Sequence, residues 1–191
     1  MTDLNLVLAS ASPRRLALLE QIGRKPDLVF PADIDERPHD RELPRLHAER
    51  LALHKAKVAA AAHPDAIVLA ADTVVACGRR ILPKTETEAE ARTCLSLLSG
   101  RRHRVYGGIA VIARGRTWQR MVVTQVMFAR LSAQAIDTYV AGGEWKGKAG
   151  GYGIQGAAGA FVPWINGSYT NIVGLCVHTA AALLTAALQA K

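Results

Sequence analysis

Short apolar runs alternate with helix-like segments through the first half of the chain, and this alternation constrains the fold more than any other feature. Strands are predicted over residues 4–9, 28–32 and 66–71, with extended chain continuing over 73–76. Helices are predicted over 12–22, from 42 or 44 to about 62, and over 87–98, each followed by a Gly or Pro stop signal. Such a pattern favours a sheet covered by helices.

Antiparallel strands are expected in the middle of the chain. Residues 104–113 and 117–131 are predicted strands joined by a turn at 114–116. A helix from 132 to about 142, short extended pieces at 161–165 and 170–173, and a closing helix over 175–188 complete the prediction. The glycine-rich stretch 143–160 is too short to separate domains and is interpreted as a binding loop. We therefore predict an α/β or mixed α+β fold, with a mixed, twisted sheet, in a single domain over 1–191.

The net charge of +8 narrows the partners that such a domain would have. A basic balance favours an anionic partner such as nucleic acid, a phosphate compound or a membrane surface, although surface arginines that only contact water explain it equally well. Aromatic residues make up only 5% of the chain and supply few stacking platforms, so no nucleic-acid partner is expected.

Three widely spaced cysteines, Cys77, Cys94 and Cys176, indicate neither a zinc site nor a disulfide framework, and a reducing cytoplasm fits them. The N-terminus has no leader pattern, and the alanine-rich tail at 176–190 is too short and too interrupted to span a membrane. A cytoplasmic protein without a membrane partner is therefore expected.

Asp72 follows the apolar run 66–71, where open α/β sheets place their ligands, although an aspartate that caps the strand is the alternative. Lys55, Lys84 and Glu36 are three further charged residues, and each of them alone would be an ordinary surface residue. Together with Asp72 they supply what phosphoanhydride hydrolysis needs, namely cations for spreading negative charge and carboxylates that hold a divalent ion or activate water. No zinc-binding histidine pair, G-x-S-x-G or Walker motif is present.

The first predicted helix opens in an unusual way. Ser12 is a good N-cap and Pro13 a good first residue, but Arg14 and Arg15 follow where the helix dipole disfavours cations. A phosphate bound at the helix N-terminus would reverse that penalty. We expect one arginine to face the phosphate and the other to point into solvent. Removal of the phosphate-facing one should leave stability unchanged or improved.

Motifs along nearly the whole chain resemble the Maf family of nucleoside triphosphate pyrophosphatases. They are Ser10-Ala-Ser-Pro-Arg-Arg15, Ala71-Asp72-Thr73-Val74-Val75, Leu98-Ser99-Gly100 with His103, and Lys148-Ala-Gly-Gly-Tyr-Gly-Ile-Gln-Gly156. The resemblance implies a two-lobed fold akin to the inosine triphosphatase group. It also implies cleavage between the α and β phosphates with a divalent metal, Mg or Mn. Homodimers are common in the family, whose name comes from inhibition of septum formation.

The resemblance also assigns roles by position. It implies that Asp72 is the general base, assisted by Lys55 and Lys84, and that Glu36 and Asp72 hold the metal. Substrate-binding positions fall on Ser10, Arg14, Arg15, Thr73 and Gln155. The chain departs from the family at Pro83 and Thr85 around the second lysine, at Gly107 where Thr is usual, and at Cys176 where Pro is usual. None of these changes removes a charged group.

The stretch Tyr152-Gly-Ile-Gln-Gly156 looks like the branch that acts on dTTP and UTP. The amide of Gln155 matches the O4 acceptor and the N3–H donor of uracil or thymine, but a flipped amide serves cytosine equally well. The prediction is a dTTP/UTP pyrophosphatase, with modified pyrimidine nucleotides as further candidates. The alternative is a nucleotide- or nucleic-acid-binding regulator of septum formation that acts without turnover.

Overall fold

A mixed seven-stranded sheet with helices on both faces forms the framework of the computed structural model, which describes residues 5–190. The strands are β1 Leu6–Leu8, β2 Leu28–Val29, β3 Ile67–Cys77, β4 Arg80–Leu82, β5 Arg102–Ala113, β6 Arg116–Met127 and β7 Trp164–Asn166. The helices are α1 Pro13–Gln21, α2 Pro44–Ala62, α3 Glu88–Leu98, α4 Ala133–Ala141, α5 Tyr169–Val173 and α6 Val177–Gln189. The predicted mixed α/β class is confirmed.

The strand order is β2-β1-β3-β5-β6-β7, with β4 paired to the last part of β3. β1 runs parallel to both β2 and β3, whereas β5, β6 and β7 continue the sheet in antiparallel pairs. The parallel part comes from the alternating half of the sequence, and the antiparallel part comes from the predicted hairpin. The two halves meet at β3, which places this strand at the centre of the sheet.

The alternating side chains of β3 divide the core into two layers. Val68 and Ala70 pack against α2, whereas Leu69 and Ala71 pack in the cluster formed with α1 and α6. The same period carries past the apolar run, so Asp72 points toward α2 and Thr73 toward α1. Two adjacent polar residues are thereby directed to opposite faces of the sheet.

The position of Asp72 differs from the prediction, because β3 does not end there. Asp72 pairs with Gly108 of β5 in the middle of an eleven-residue strand. It is β1 that ends: its ladder stops at Leu8 opposite Leu69, after which the chain turns into α1. The backbone beside Asp72 and Thr73 is therefore open on the β1 side only, and this gap forms the cleft described below.

Gly107 and Gly108 of β5 both lie where a side chain would not fit. A Cβ atom at Gly108 would lie 2.2 Å from the carbonyl oxygen of Ala48, so glycine allows α2 to approach the sheet closely. A Cβ atom at Gly107 would lie 1.9 Å from Oδ1 of buried Asn171, whose amide donates to Val105 O and to Thr124 Oγ1. The departure from the family pattern at Gly107 thus makes room for the Asn171 side chain.

Several predicted boundaries were wrong. The stretch 170–173 lies in α5 instead of an extended piece, because Ser168 caps a helix by accepting from the Asn171 N–H at 3.2 Å. Phe161 ends a short 3₁₀ helix, Ala157–Phe161, so only the end of the predicted extended piece 161–165 falls in β7. β2 is shorter than predicted, and β6 stops at Met127 instead of continuing to 131. Leu4, at the start of the first predicted strand, lies outside the described residues.

None of the helices among residues 5–190 combines the length and the apolar character that a membrane span requires.

Candidate active site

All of the predicted site residues line one cleft of about 350 Å³ at the point where β1 ends. They are Ser10, Arg14, Arg15, Glu36, Lys55, Asp72, Thr73, Lys84 and Gln155. The strand β3, helices α1 and α2, the loop after β2, the segment after β4 and the glycine-rich stretch each contribute to its wall. Residues far apart in sequence are therefore brought to one polar surface.

A continuous chain of ion pairs occupies one side of the cleft. The buried Lys55 ammonium lies 2.6 Å from Asp72 Oδ1 and 2.6 Å from Glu36 Oε1. The other carboxylate oxygen of Glu36 accepts from Lys84. Lys55 thus stands between two carboxylates, and Glu36 stands between two ammonium groups. The alternating charges hold four side chains from four different segments in one arrangement.

Glu36 stays ionised because of this arrangement. Partial burial alone would raise the pKa of its carboxyl, but hydrogen bonds and charge from Lys55 and Lys84 prevail and lower that pKa to about 2. At neutral pH the cleft therefore holds an anionic Glu36 beside Asp72.

The loop that carries Glu36 has no regular structure and is fixed to α2 by a second polar cluster. Arg50 of α2 donates to both oxygens of Glu42 at 2.7 and 2.8 Å, and it also donates to the carbonyl of Arg37 at 3.0 Å. Nδ1 of buried His47 lies 2.9 Å from Glu42 Oε2. Because α2 also carries Lys55, these bonds hold both partners of the Glu36–Lys55 ion pair against one helix.

The acid dependence of stability should report on this cluster. Hydrogen bonds from Arg50 prevail over partial burial and lower the pKa of Glu42 to about 2. The folded state then binds fewer protons than the unfolded state, so the stabilisation is fully present above about pH 4.5 and is lost as the pH falls through about 2. Glu42→Gln is expected to lower the free energy of unfolding at pH 7 by roughly 1 to 3 kcal/mol.

Denaturant titrations between pH 7 and pH 2 measure this effect. The difference between wild type and Glu42→Gln should stay constant from pH 7 to about pH 4.5 and shrink as the pH falls from there to 2. Glu49→Gln is the control, because Glu49 forms a surface pair with the exposed Arg45. A difference that stays constant over this range would contradict the assignment.

The two arginines at the start of α1 have different environments. Ser12 caps the helix, with Oγ accepting from the Arg15 N–H at 3.4 Å, and Pro13 is its first residue, as predicted. Arg15 is buried and donates to Gly174 O at 2.9 Å, Ser10 Oγ at 2.9 Å and Thr73 Oγ1 at 3.1 Å. Burial lowers the pKa of its guanidinium from the usual value.

Arg14 is half-buried, and its Nε donates to the carbonyl of Val173 at 3.2 Å. Its Nη groups make no hydrogen bond to any residue in the range 5–190. The expectation that one arginine points into solvent was wrong, since both line the cleft. Arg15 joins Ser10, Thr73 and the chain before α6, while Arg14 keeps free donors for a ligand.

The glycine-rich stretch forms another part of the cleft wall. Gln155 lies exposed at its rim, and its amide makes no hydrogen bond to the described residues. Tyr152 is buried beneath it, with its hydroxyl 2.8 Å from His103 Nε2. Burial lowers the pKa of His103 to about 4, so the ring is neutral at pH 7. Tyr152 therefore anchors the glycine-rich stretch in the core, while Gln155 at the rim of the cleft stays accessible.

Sequence reasoning did not include Lys148 among the candidate site residues. Its side chain lines the cleft, and its Nζ donates to the carbonyl of Glu144. Lys148 is the first residue of the family-like motif Lys148 to Gly156, and this position was the signal that could have identified it. A lysine within a glycine-rich stretch is nevertheless common enough that position in sequence alone does not single it out.

Pro83, Thr85 and Cys176, which depart from the family pattern, do not disturb the contacts of Lys84. Lys84 forms a backbone bridge with Ala149 and donates to Glu36. Thr85 is fully buried and donates to the carbonyl of Trp145 at 2.8 Å. Cys176 is the N-cap of α6 and makes no side-chain cap bond.

Charges in the cleft do not balance. The lining includes five cationic side chains and two carboxylates, which leaves a net charge of +3; they are Arg14, Arg15, Lys55, Lys84, Lys148, Glu36 and Asp72. A cleft with this excess of cations favours a highly anionic ligand. Polyphosphates meet that requirement, whereas neutral or cationic small molecules do not.

The same cleft offers hard oxygen donors for a divalent cation. The carboxylates of Glu36 and Asp72 lie close together, since an oxygen of each is 2.6 Å from Lys55 Nζ, and Oδ2 of Asp72 makes no hydrogen bond to the described residues. No group of three or more His, Cys, Asp or Glu side chains with ligand geometry occurs among residues 5–190. Mg²⁺ is commonly held by one or two carboxylates plus substrate phosphates instead of a full protein cage, so the two carboxylates fit such a site.

Known proteins resemble this chain over most of its length. The sequence profile of the Maf-like protein family matches residues 5–187. The chain is 63% identical to a dTTP/UTP pyrophosphatase from Paramagnetospirillum magneticum, over 94% of this chain and 95% of the relative. It is 60% identical to a dTTP/UTP pyrophosphatase from Rhodospirillum rubrum, over 94% of this chain and 86% of the relative.

A solved structure shares the fold. The HAM1 protein from Coxiella burnetii superposes with a TM-score of 0.53 and 19% sequence identity, over 96% of this chain and 100% of that protein. At this identity the similarity concerns the fold alone.

Proposed function

The chain belongs to the Maf family, and from this premise we propose that it is a nucleoside triphosphate pyrophosphatase that hydrolyses dTTP and UTP to the nucleoside monophosphate and pyrophosphate. The observation that carries the proposal is the chain of ion pairs from Asp72 through Lys55 and Glu36 to Lys84, inside a cleft with a net charge of +3. Carboxylates and cations alternate there as hydrolysis of an anionic phosphoanhydride requires. The names of the relatives supply the nucleotide class.

In the proposed reaction, Asp72 accepts a proton from the attacking water. The water oxygen bonds to the α phosphorus while the bond from that phosphorus to the oxygen bridging the α and β phosphates breaks. Pyrophosphate leaves with the electron pair of the broken bond. Lys55 and Lys84 neutralise charge on the phosphoryl oxygens. Glu36 and Asp72 would hold the divalent cation, which when bound supplies additional charge neutralisation on the phosphates. Ser10 and Arg15 support the wall against which the phosphate chain lies.

Further parts of the proposal concern the state of the protein. We propose Mg²⁺ or Mn²⁺ as the cation, a single domain over residues 1–191, a homodimer, no nucleic-acid partner and a cytoplasmic location. The three cysteines are free, which supports a reducing compartment.

Release of pyrophosphate from a panel of nucleoside triphosphates tests the function. With Mg²⁺ present, dTTP and UTP should be hydrolysed with the highest kcat/KM, ahead of ATP and GTP. CTP belongs in the panel because the Gln155 amide can flip. Nucleotide binding without any pyrophosphate release would contradict the proposal and favour a regulator of septum formation that acts without turnover.

Gln155 provides a prediction about the base. A uracil or thymine docked at the rim would accept from the amide N–H₂ at a carbonyl and donate N3–H to the amide oxygen. Gln155→Glu removes the donor and places a carboxylate against a carbonyl, so kcat/KM for UTP and dTTP is expected to fall by about 10- to 100-fold. The preference for UTP over GTP and 7-methyl-GTP should shrink at the same time.

Kinetics with UTP, dTTP, CTP, GTP and 7-methyl-GTP measure this change. Gln134→Glu is the matched control, because Gln134 is exposed on α4 and does not line the cleft. If Gln155→Glu keeps the wild-type order of preference, Gln155 does not read the base.

A further inference from the structure

Three of the five cleft cations lack a carboxylate partner, and two of these three keep donors free for a ligand. Lys55 and Lys84 are paired with Glu36 and Asp72. The guanidinium of Arg15 donates hydrogen bonds to two hydroxyls and a carbonyl. Within residues 5–190, Arg14 and Lys148 make no ion pair, and each bonds only to a backbone carbonyl. The uncompensated positive charge of the cleft therefore resides on Arg14, Arg15 and Lys148, and of these Arg14 and Lys148 keep free donors.

The fold holds Lys148 at the wall of the cleft. Its backbone carbonyl accepts from Thr85 N–H at 3.2 Å, and the next residue, Ala149, bridges to Lys84. Its aliphatic stem lies against Gly153, where a Cβ atom would be only 2.8 Å from Lys148 Cε. Lys148 is half-buried and enters the same cleft as Lys84 and Arg14.

Neighbouring charge makes this arrangement unfavourable in the absence of a ligand. Burial and the nearby Arg14 lower the pKa of Lys148 from its usual value, and together they outweigh the opposite effect of Glu144. Two like charges held at one surface repel, and that repulsion is relieved when an anion binds between them. A phosphate oxygen accepts from both an ammonium and a guanidinium, so polyphosphate is the ligand class that fits.

We propose that Lys148 is a substrate-binding residue that acts together with Arg14 to bind the phosphate chain of the nucleotide. The proposal rests on the proposed function for the identity of the substrate, but the phosphate site itself is independent of turnover. It adds a contact from the glycine-rich stretch to those from α1 and β3. That stretch then contacts the phosphates through Lys148 and the base through Gln155.

Lys148→Met tests the proposal, with Lys146→Met as the matched control. Lys146 is exposed, lies with Nζ 5.7 Å from the ring centre of Trp145 and does not line the cleft. The first measurement is calorimetric binding of inorganic tripolyphosphate, which contains no base. Lys148→Met should raise its Kd about tenfold, and Lys146→Met should leave it unchanged.

The second measurement is the KM for UTP, dTTP and CTP. Lys148→Met should raise all three by a similar factor, and Lys148→Arg should restore most of the loss. Melting temperatures near that of the wild type would show that these variants are folded. If Lys148→Met strongly lowers thermal stability, Lys148→Arg becomes the decisive variant. A Lys148→Arg protein with an unchanged melting temperature and a Kd near that of the wild type supports the proposal. A Lys148→Arg protein whose Kd is as high as that of Lys148→Met overturns it.

Other outcomes overturn the proposal in distinct ways. Wild-type affinity of Lys148→Met for tripolyphosphate, or no binding of tripolyphosphate by the wild type, would show that Lys148 is not part of a phosphate site. A change in the UTP-to-CTP ratio alone would assign Lys148 to the base instead. If Lys148→Met weakens tripolyphosphate binding but the wild type hydrolyses no nucleotide, the phosphate site is supported and the proposed function is contradicted.

Discussion

Replacement of Asp72 by Asn is expected to lower kcat for dTTP and UTP by roughly 10²- to 10⁴-fold, the usual cost of losing a general base. The amide has nearly the shape of the carboxylate, and its oxygen can still accept from Lys55, which now contacts Asp72 Oδ1 at 2.6 Å. It cannot take a proton from water. Asp72 is also buried in the middle of β3 opposite Gly108, so the replacement should keep the strand in place.

Steady-state kinetics and thermal melts of Asp72→Asn separate a loss of chemistry from a loss of fold. Asp65→Asn is a suitable control, because Asp65 is exposed in the turn before β3 and lies outside the cleft. A kcat near that of the wild type would exclude Asp72 as the base. A collapse of the melting temperature would instead indicate that the Lys55–Asp72 pair is needed for folding.

Arg15→Ala is expected to lower the free energy of unfolding by roughly 2 to 4 kcal/mol. The change removes hydrogen bonds to Ser10 Oγ, Thr73 Oγ1 and Gly174 O from a buried site. Loss of an unfavourable helix-dipole interaction compensates only about 0.3 to 1 kcal/mol of this. The sequence-based expectation of unchanged or improved stability therefore does not extend to Arg15.

Arg14→Ala is the natural comparison, since it changes the neighbouring position of the same helix. Arg14 is half-buried and has one hydrogen bond, to Val173 O. Its removal should leave stability within about 0.5 kcal/mol of the wild type or improve it, while raising the KM for the triphosphate. Chemical denaturation without ligand measures both variants. Equal destabilisation of the two would contradict the division between a structural and a ligand-facing arginine.

The polar residues around Asp72 show how far sequence reasoning reaches. The residue types fit phosphoanhydride chemistry, because cations neutralise charge on phosphates and carboxylates hold a divalent ion or activate water. The chain of contacts from Asp72 through Lys55 and Glu36 to Lys84 joins four segments. Local sequence contains no information on these distances, because they are set by the packing of α2 on β5 and by the loop that Arg50 fixes.

The sequence by itself determined the elements that arise from local periodicity and capping. The apolar runs of β1 and β3, the Ser12–Pro13 start of α1 and the turn between β5 and β6 follow from residue order alone, since each depends on neighbours within a few positions. The motifs likewise determined the family. Short elements such as α5, capped by Ser168, were missed because so brief a helix has no clear periodicity.

Only the tertiary structure decided which side chains share a surface. Asp72 and Thr73 are adjacent in sequence, yet the pleat of β3 directs one to Lys55 on α2 and the other to Arg15 on α1. Arg14 and Arg15 differ in the same way, because successive helix residues point about 100° apart and packing against Gly174 buries just one. Lys148 joins the cleft through the backbone bridge beside it, a contact between segments more than sixty residues apart. Long-range packing sets these placements, because no short window of sequence contains both partners.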